Sequence, residues 1–376
     1  MNGRRGANEG TIYKRNDGYW VGAMSLAVGR RKVIYGKTRG AVAERLKGLL
    51  KAAQDGVPVA TARLTVGTYL SRWVNGAEAS VRASTHRRYE GIVRCQLIPH
   101  LGPISLTKLS PTDLSTMYAA LLGAGLAPRT VGHAHRVLGR ALREAEVAGL
   151  VGRNVARLVR PPRVPQKEMQ TFTAEQARTL LRACEVAGDR LAALYAVALA
   201  TGAREGELLV LRWKDVDWDA GAIRIQRTLL RTRTGLQVGE PKTASARRTI
   251  PLGRATMEAL RGHRLTQAEE RLRLRLGKAS DADLVFASEA GTLIDPSNLL
   301  ANSYYPLLNR IGLPRLTFHA LRHTAATLML EAGTHIRVAA ERLGHSDPGV
   351  TLRVYSHVSA TMQREAADTL DRVLGA

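Results

Sequence analysis

The chain has 376 residues, with 56 Lys+Arg against 32 Asp+Glu, a formal net charge of +24, and 45% hydrophobic residues. That apolar share is enough for real cores and excludes wholesale disorder, while two cysteines, Cys95 and Cys184, exclude a disulfide framework or a multi-thiolate zinc site. The longest strongly apolar run, residues 191–200, is about half a membrane span, residues 1–6 lack the apolar core of a secretory signal, and the charge implies a polyanionic partner, with nucleic acid the default; a reduced, soluble, cytoplasmic protein without a membrane partner is expected.

Residues 1–60 hold 12 basic and 4 acidic residues. Gly10-Thr11-Ile12-Tyr13, the turn signal Asp17-Gly18 and Tyr19-Trp20-Val21 predict a hairpin. Residues 27–35 read as a strand pair broken at Gly29-Arg30, and 41–50 as a helix. The expectation is a basic three-stranded sheet with one helix, and strands can read a DNA groove as helices do. Residues 54–64, with Asp55-Gly56 and Pro58, read as a linker.

Residues 61–157 are predicted all-helical. The helices fall at about 65–73, at 84–97 capped by Ser84 or Thr85, at 111–122, and at 128–148 ended by Gly149. Ser110 with Asp113 forms a capping box before the third. Arg87, Arg88, Arg94, Arg129, Arg136, Arg140 and Arg143 recur on these helices, as they also would on a merely solvated face. Residues 61–165 hold 15 basic against 5 acidic residues. Pro161, Pro162 and Pro165 place an interdomain linker at 158–170.

The remaining chain, 171–376, opens on the capping box Thr173–Gln176. Helices are expected at 174–186, 189–201 and 204–211. A turn at Asp219-Ala220-Gly221 precedes a strand, and residues 224–231 and 247–251 read as strands flanking a polar loop. Further helices are expected at 254–276, 296–311, 318–332, 335–343 and 348–358, with an amphipathic one at 361–374.

Five segments of this last region carry chemistry. In TGAREGEL (201–208), Arg204 beside a glycine turn can present a guanidinium fork to a phosphate. In PKTASARR (241–248), Lys242, one of ten lysines against 46 arginines, is expected on a hairpin tip, where an ammonium could protonate a leaving alkoxide. In HALRHT (319–324), His319 and Arg322 share a helix face, whereas His323 is expected to point elsewhere as a structural residue. LGHS (343–346) supplies His345, and VYSH (354–357) supplies Tyr355. Each segment alone is compatible with an ordinary surface or core.

Taken in order, the five segments resemble the tyrosine recombinase family, in particular the integrases of phages and integrative elements. The resemblance covers essentially the whole chain. It implies a mainly α fold with small β-sheets (α+β) in three parts: an arm-type DNA-binding module at 1–60, a helical core-binding (SAM-like) domain at 61–157, and, after the linker, a catalytic domain at 171–376. Ala203 stands where a bulkier apolar residue is commoner, with a consequence expected for packing only.

The same resemblance implies the roles. Arg204 and Arg322 would neutralise the non-bridging oxygens of the attacked phosphate, and His345 would add a hydrogen bond. Tyr355 would be the nucleophile, His319 its general base, and Lys242 the general acid for the departing 5′ oxygen. A 3′-phosphotyrosyl enzyme and a free 5′ hydroxyl result. Each broken bond is replaced by a like bond, so no cofactor, ATP or metal is expected. The implied partners are double-stranded DNA at core and arm sites and a homotetramer on that DNA, with places for a directionality factor and a DNA-bending protein. The C-terminal helix, with Ala366, Leu370, Val373 and Leu374 on one face, would dock on its own domain or on a neighbouring protomer. Three rivals remain at this point. Residues 336–355 look like a helix-turn-helix regulator, and a type IB topoisomerase or a dimer-resolving recombinase would share the chemistry.

Overall fold

The computed structural model of the protein describes residues 10–25, 31–54, 64–165, 169–232, 234–241 and 246–344, with a few positions between 364 and 375. The chain divides into two compact units, Met1–Gln166 and Lys167–Ala376. The division falls inside the proline-rich stretch read as a linker.

The first unit begins with an antiparallel sheet of β1 (Thr11–Lys14), β2 (Trp20–Ser25) and β3 (Arg31–Gly36), in that order. The second strand of the module is therefore 20–25, longer than the turn signals suggest, and it pairs with β3 across residues 26–30. Helix α1 (Arg39–Gln54) covers one face through Val42 and Leu46. On the strand register, Tyr13 and Tyr35 both lie opposite Val21, and both rings are exposed.

The helical part comprises α2 (Val66–Ala77), α3 (Ala83–Ile92), α4 (Ile98–Leu101), α5 (Pro111–Gly123) and α6 (Pro128–Val147). Their apolar stripes meet in a core that includes Leu70, Leu97, Leu114 and Leu138. The Ser110–Asp113 capping box is present, and Gly149 ends α6 with φ +67°. The helix predicted over 84–97 differs in two ways. It starts at Ala83 after Arg82, with no side-chain cap, so neither Ser84 nor Thr85 caps it. It also continues through a π turn at Val93–Leu97 into α4, which carries Pro99 at its second position. A proline ring clashes with the carbonyl four residues earlier, and a widened turn relieves that clash.

In the second unit, α7 (Ala174–Val186), α8 (Ala192–Thr201) and α9 (Glu205–Leu208) precede the strands. β4 (Val216–Asp217), β5 (Ala222–Ile225) and β8 (Arg248–Pro251) form one antiparallel sheet, and β6 (Thr228–Thr232) pairs with β7 (Gly235–Gly239) in another. The strand read over 224–231 is thus broken at Gln226-Arg227, because its halves belong to different sheets. The segment with Lys242 joins β7 to β8 and so links two sheets; it is not the tip of one hairpin.

Helices α10 (Arg254–Arg273), α11 (Pro296–Leu299), α12 (Tyr305–Arg310), α13 (Phe318–Glu331) and α14 (Ile336–Leu343) follow. A second π turn, Leu300–Tyr304, divides the helix expected over 296–311 just ahead of Pro306, as at Pro99. The core of this unit includes Leu194, Tyr195, Trp213, Phe286, Tyr304 and Phe318. No helix among the described residues is long and apolar enough to cross a membrane. The helix read at 348–358 lies outside the described residues, as do Ala366, Leu370 and Val373 of the last helix; Leu374 is helical and exposed.

Candidate active site

Helix α8 is apolar on all sides and buried, so its C-terminus is set firmly in the core. Gly202 ends it in the left-handed region, with φ +60° and ψ +20°. A Cβ there would stand 2.4 Å from Leu343 Cδ2, so the turn needs glycine for both conformation and space. The hydroxyl of Thr201 accepts from the Ala203 N–H at 3.1 Å and steadies the exit. Ala203 is buried in the core, and the chain then presents Arg204 as the N-cap of α9.

Arg204 is oriented by Glu207. Its Nη1 donates to Glu207 Oε1 at 2.7 Å, and its backbone N–H donates to Oε2 at 3.0 Å. Nη2 donates to the carbonyl of Gly344 at 3.3 Å. The Arg204 side chain stays 40% exposed, whereas that of Glu207 is 2% exposed. A fork oriented by fixed acceptors yet still partly exposed can receive a phosphate.

From α13, Arg322 is buried, and its Nη1 donates to the Gly202 carbonyl at 2.7 Å. His319 lies one turn away on the same helix with an open face to solvent. Partial loss of hydration, then the charges of Arg322 and Arg204, hold its imidazole below the usual range. Arg204, His319 and Arg322 are thus brought together from two segments more than a hundred residues apart. His323 corrects an expectation: its ring meets that of His319 edge-on at 4.7 Å, because i and i+4 share a helix face. Burial, then His319 and Arg322, push its imidazole down to about 4.

Lys242, His345 and Tyr355 lie outside the described residues. Sequence reasoning passed over Glu207 and Arg248, although both stand inside quoted segments. The available signal was a glutamate three residues after Arg204, placed to accept from the Arg204 backbone N–H at the helix start. Among the described residues no group of three or more His, Cys, Asp or Glu side chains could hold a metal ion.

Each unit also carries a cluster of basic side chains. A cleft of about 750 Å³ is lined by Arg224, Arg227 and Arg247 among others. In the helical unit, α3 and α6 bring Arg88, Arg129 and Arg136 around His133. Some burial, then Arg88, Arg136 and Arg129, lower its imidazole, and Arg136 Nη2 lies 2.6 Å from His133 Nδ1.

The phage integrase family matches residues 170–362, and the N-terminal SAM-like domain of phage integrases matches residues 65–122. A tyrosine recombinase XerC-like protein of Caldanaerobacter subterraneus subsp. tengcongensis is 30% identical over 360 residues, 91% of each chain. This chain belongs to the phage integrase family. An integrase of Streptomyces ambofaciens is 30% identical over 353 residues, 89% of this chain and 88% of its own. Among solved structures, the Tn1549 transposon integrase in complex with transposon right end DNA is similar at a TM-score of 0.69 and 21% identity, over 82% of this chain and 99% of that one. A lambda integrase dimer bound to a core site gives 0.58 at 19% identity, over 94% and 96%. These structural likenesses show that the chain has the integrase fold. Family membership also sets aside the helix-turn-helix regulator, and the end of α14 is held in the site by Arg204 and Arg248.

Proposed function

We propose that this family member is a site-specific DNA integrase that cuts and rejoins strands through a tyrosine–phosphate bond. The observation that carries the reading is the convergence of Arg204, Arg322 and His319. Two guanidiniums can neutralise charge that develops on non-bridging phosphate oxygens. An imidazole kept neutral beside them can take a proton from a phenol, whose ordinary pKa is about 10. The Tyr355 oxygen then bonds to phosphorus as the bond to the 5′ oxygen breaks. Lys242 gives that oxygen its proton, and His345 donates a hydrogen bond to the phosphate. A hydroxyl of a second strand reverses the step and releases Tyr355.

Double-stranded DNA is the proposed partner, gripped at core sites by the Arg88–Arg129–Arg136 face of the helical part. Arm sites would fall to the β1–β3 sheet, whose face opposite α1 exposes Tyr13 and Tyr35. Four strand exchanges need four active sites, hence a homotetramer on DNA, with the last helix as a candidate link between protomers. Integration, and excision with a directionality factor and a DNA-bending protein, would occur in the cytoplasm at the nucleoid. The test is a nicked suicide substrate made from the DNA flanking the coding region. The wild-type chain should form a covalent adduct on a denaturing gel, and Tyr355→Phe should bind without forming one. An adduct in that variant removes Tyr355 as nucleophile. A 5′-bridging phosphorothioate, whose sulfur leaves without a proton, should rescue Lys242→Ala; failure there assigns the acid elsewhere.

A further inference from the structure

We propose that Arg248 is a positioning residue for strand cleavage: it fastens Glu207, and through it Arg204, to the end of α14 immediately before His345. The inference rests on the reading above. Arg248 is the first residue of β8, just after the Lys242 segment, and its side chain is 6% exposed. It is therefore poorly placed to touch DNA itself. Its fork instead meets three acceptors from three segments. Nη2 donates to Glu207 Oε2 at 3.0 Å, Nε to the Arg342 carbonyl at 2.7 Å, and Nη1 to the Ala246 carbonyl at 3.0 Å.

Glu207 spends both oxygens in this arrangement. Oε1 takes Arg204 Nη1, while Oε2 is shared by the Arg204 N–H and Arg248. Arg204 in turn reaches the Gly344 carbonyl. The end of α14 is thus held at carbonyl 342 by Arg248 and at carbonyl 344 by Arg204. Gly344 fits because it has φ +69° and no Cβ, which would lie 2.9 Å from Arg248 Nη1. Arg342 braces the same corner by donating to the Ala200 and Pro251 carbonyls, each at 2.8 Å. Displacing any one of these segments moves the others, and the next residue along the chain is His345.

The arrangement also has an electrostatic signature. Burial alone would raise the Glu207 carboxyl, but the charge of Arg248, then hydrogen bonds from Arg248 and Arg204, hold it below the usual range. Without Arg248, Glu207 takes up a proton at higher pH and loses an acceptor for Arg204. A lysine preserves the charge beside Glu207 but cannot bridge three acceptors.

The experiment uses the full chain on the suicide substrate, with single-turnover adduct formation followed across pH. Arg248→Ala should bind DNA as the wild type does, cleave about 100-fold more slowly, as expected of a slightly misplaced catalytic group, and lose activity at higher pH than the wild type, whose acid limb follows His319, because a buried Glu207 without its cation then titrates first. Arg248→Lys should also cleave slowly, with the acid limb where the wild type has it. Wild-type cleavage in either variant overturns the proposal. So does slow cleavage of Arg248→Ala that tracks lost DNA binding with an unmoved acid limb. Should Arg248→Ala fail to fold, the rate and acid limb of Arg248→Lys decide. A wild-type chain that forms no adduct defeats the reading of the function itself, a different outcome.

Discussion

Arg322 donates a 2.7 Å hydrogen bond to the carbonyl of Gly202, 120 positions earlier in the chain. The bond ties the middle of α13 to the turn that launches Arg204. One guanidinium thereby sets the backbone from which the other projects. The two cations are one unit, built on a glycine with no room for a side chain.

Replacing Gly202 should loosen that unit. Gly202→Ala combines a left-handed backbone with a Cβ 2.4 Å from Leu343 Cδ2. A destabilisation of about 3 kcal/mol is expected from strain and overpacking together, read as a lower urea midpoint. Cleavage should fall further than DNA binding, since Arg204 moves and the basic faces do not. An unchanged midpoint would contradict the packing at this turn.

Cleavage should persist into mild acid. His319 must be neutral to accept the phenolic proton, and lost hydration with the charges of Arg322 and Arg204 lowers its pKa. Bound phosphate offsets the arginine charges, but burial, the largest cause, persists in the complex, so the acid limb of the single-turnover rate should lie below about 6.5, the ordinary imidazole value. A limb at or above that value would remove His319 as the base.

Fold stability should decline in the same range because of His323. In the folded chain its pKa is about 4, against about 6.5 unfolded. Between those values the unfolded chain binds more protons, so acid favours unfolding. The stabilisation is present above about 6.5 and is lost as pH falls toward 4. Urea midpoints for wild type should drop between pH values of about 7.5 and 5, and His323→Gln should drop less. Equal slopes would show that His323 does not titrate in this way.

DNA binding by the helical unit should instead strengthen in mild acid. Arg88, Arg129 and Arg136 disfavour the His133 cation in the free protein. Phosphates near those arginines offset their charge, so binding takes up a proton at His133. Affinity for a core-site duplex should rise from about pH 7.5 to about 6 at fixed salt, with His133→Ala flattening the trend. A flat wild-type profile would place the phosphates elsewhere.

Much of the fold was legible because its signals are local. The capping boxes at Ser110 and Thr173, and Gly149 past the end of α6, act through neighbours three or four residues away, and all appear as read. The π turns before Pro99 and Pro306 were not legible: periodicity continues through a proline, and the chain can bend, stop or widen there. The partition of 222–239 into strands of two sheets was hidden as well, because pairing partners come from distant sequence.

By itself the sequence determined the family and which side chains are candidates, because residue type and order along the chain are all that motif recognition requires. It also set the helical spacing that puts Arg322 and, against the expectation drawn from it, His323 beside His319. Only the tertiary structure decided what those groups lean on: that Arg322 holds the Gly202 carbonyl, and that Glu207 and Arg248 brace Arg204 against the end of α14. Those bonds join residues up to 140 positions apart. A hydrogen bond acts over about 3 Å, so its partner is unknown until folding brings the two segments together.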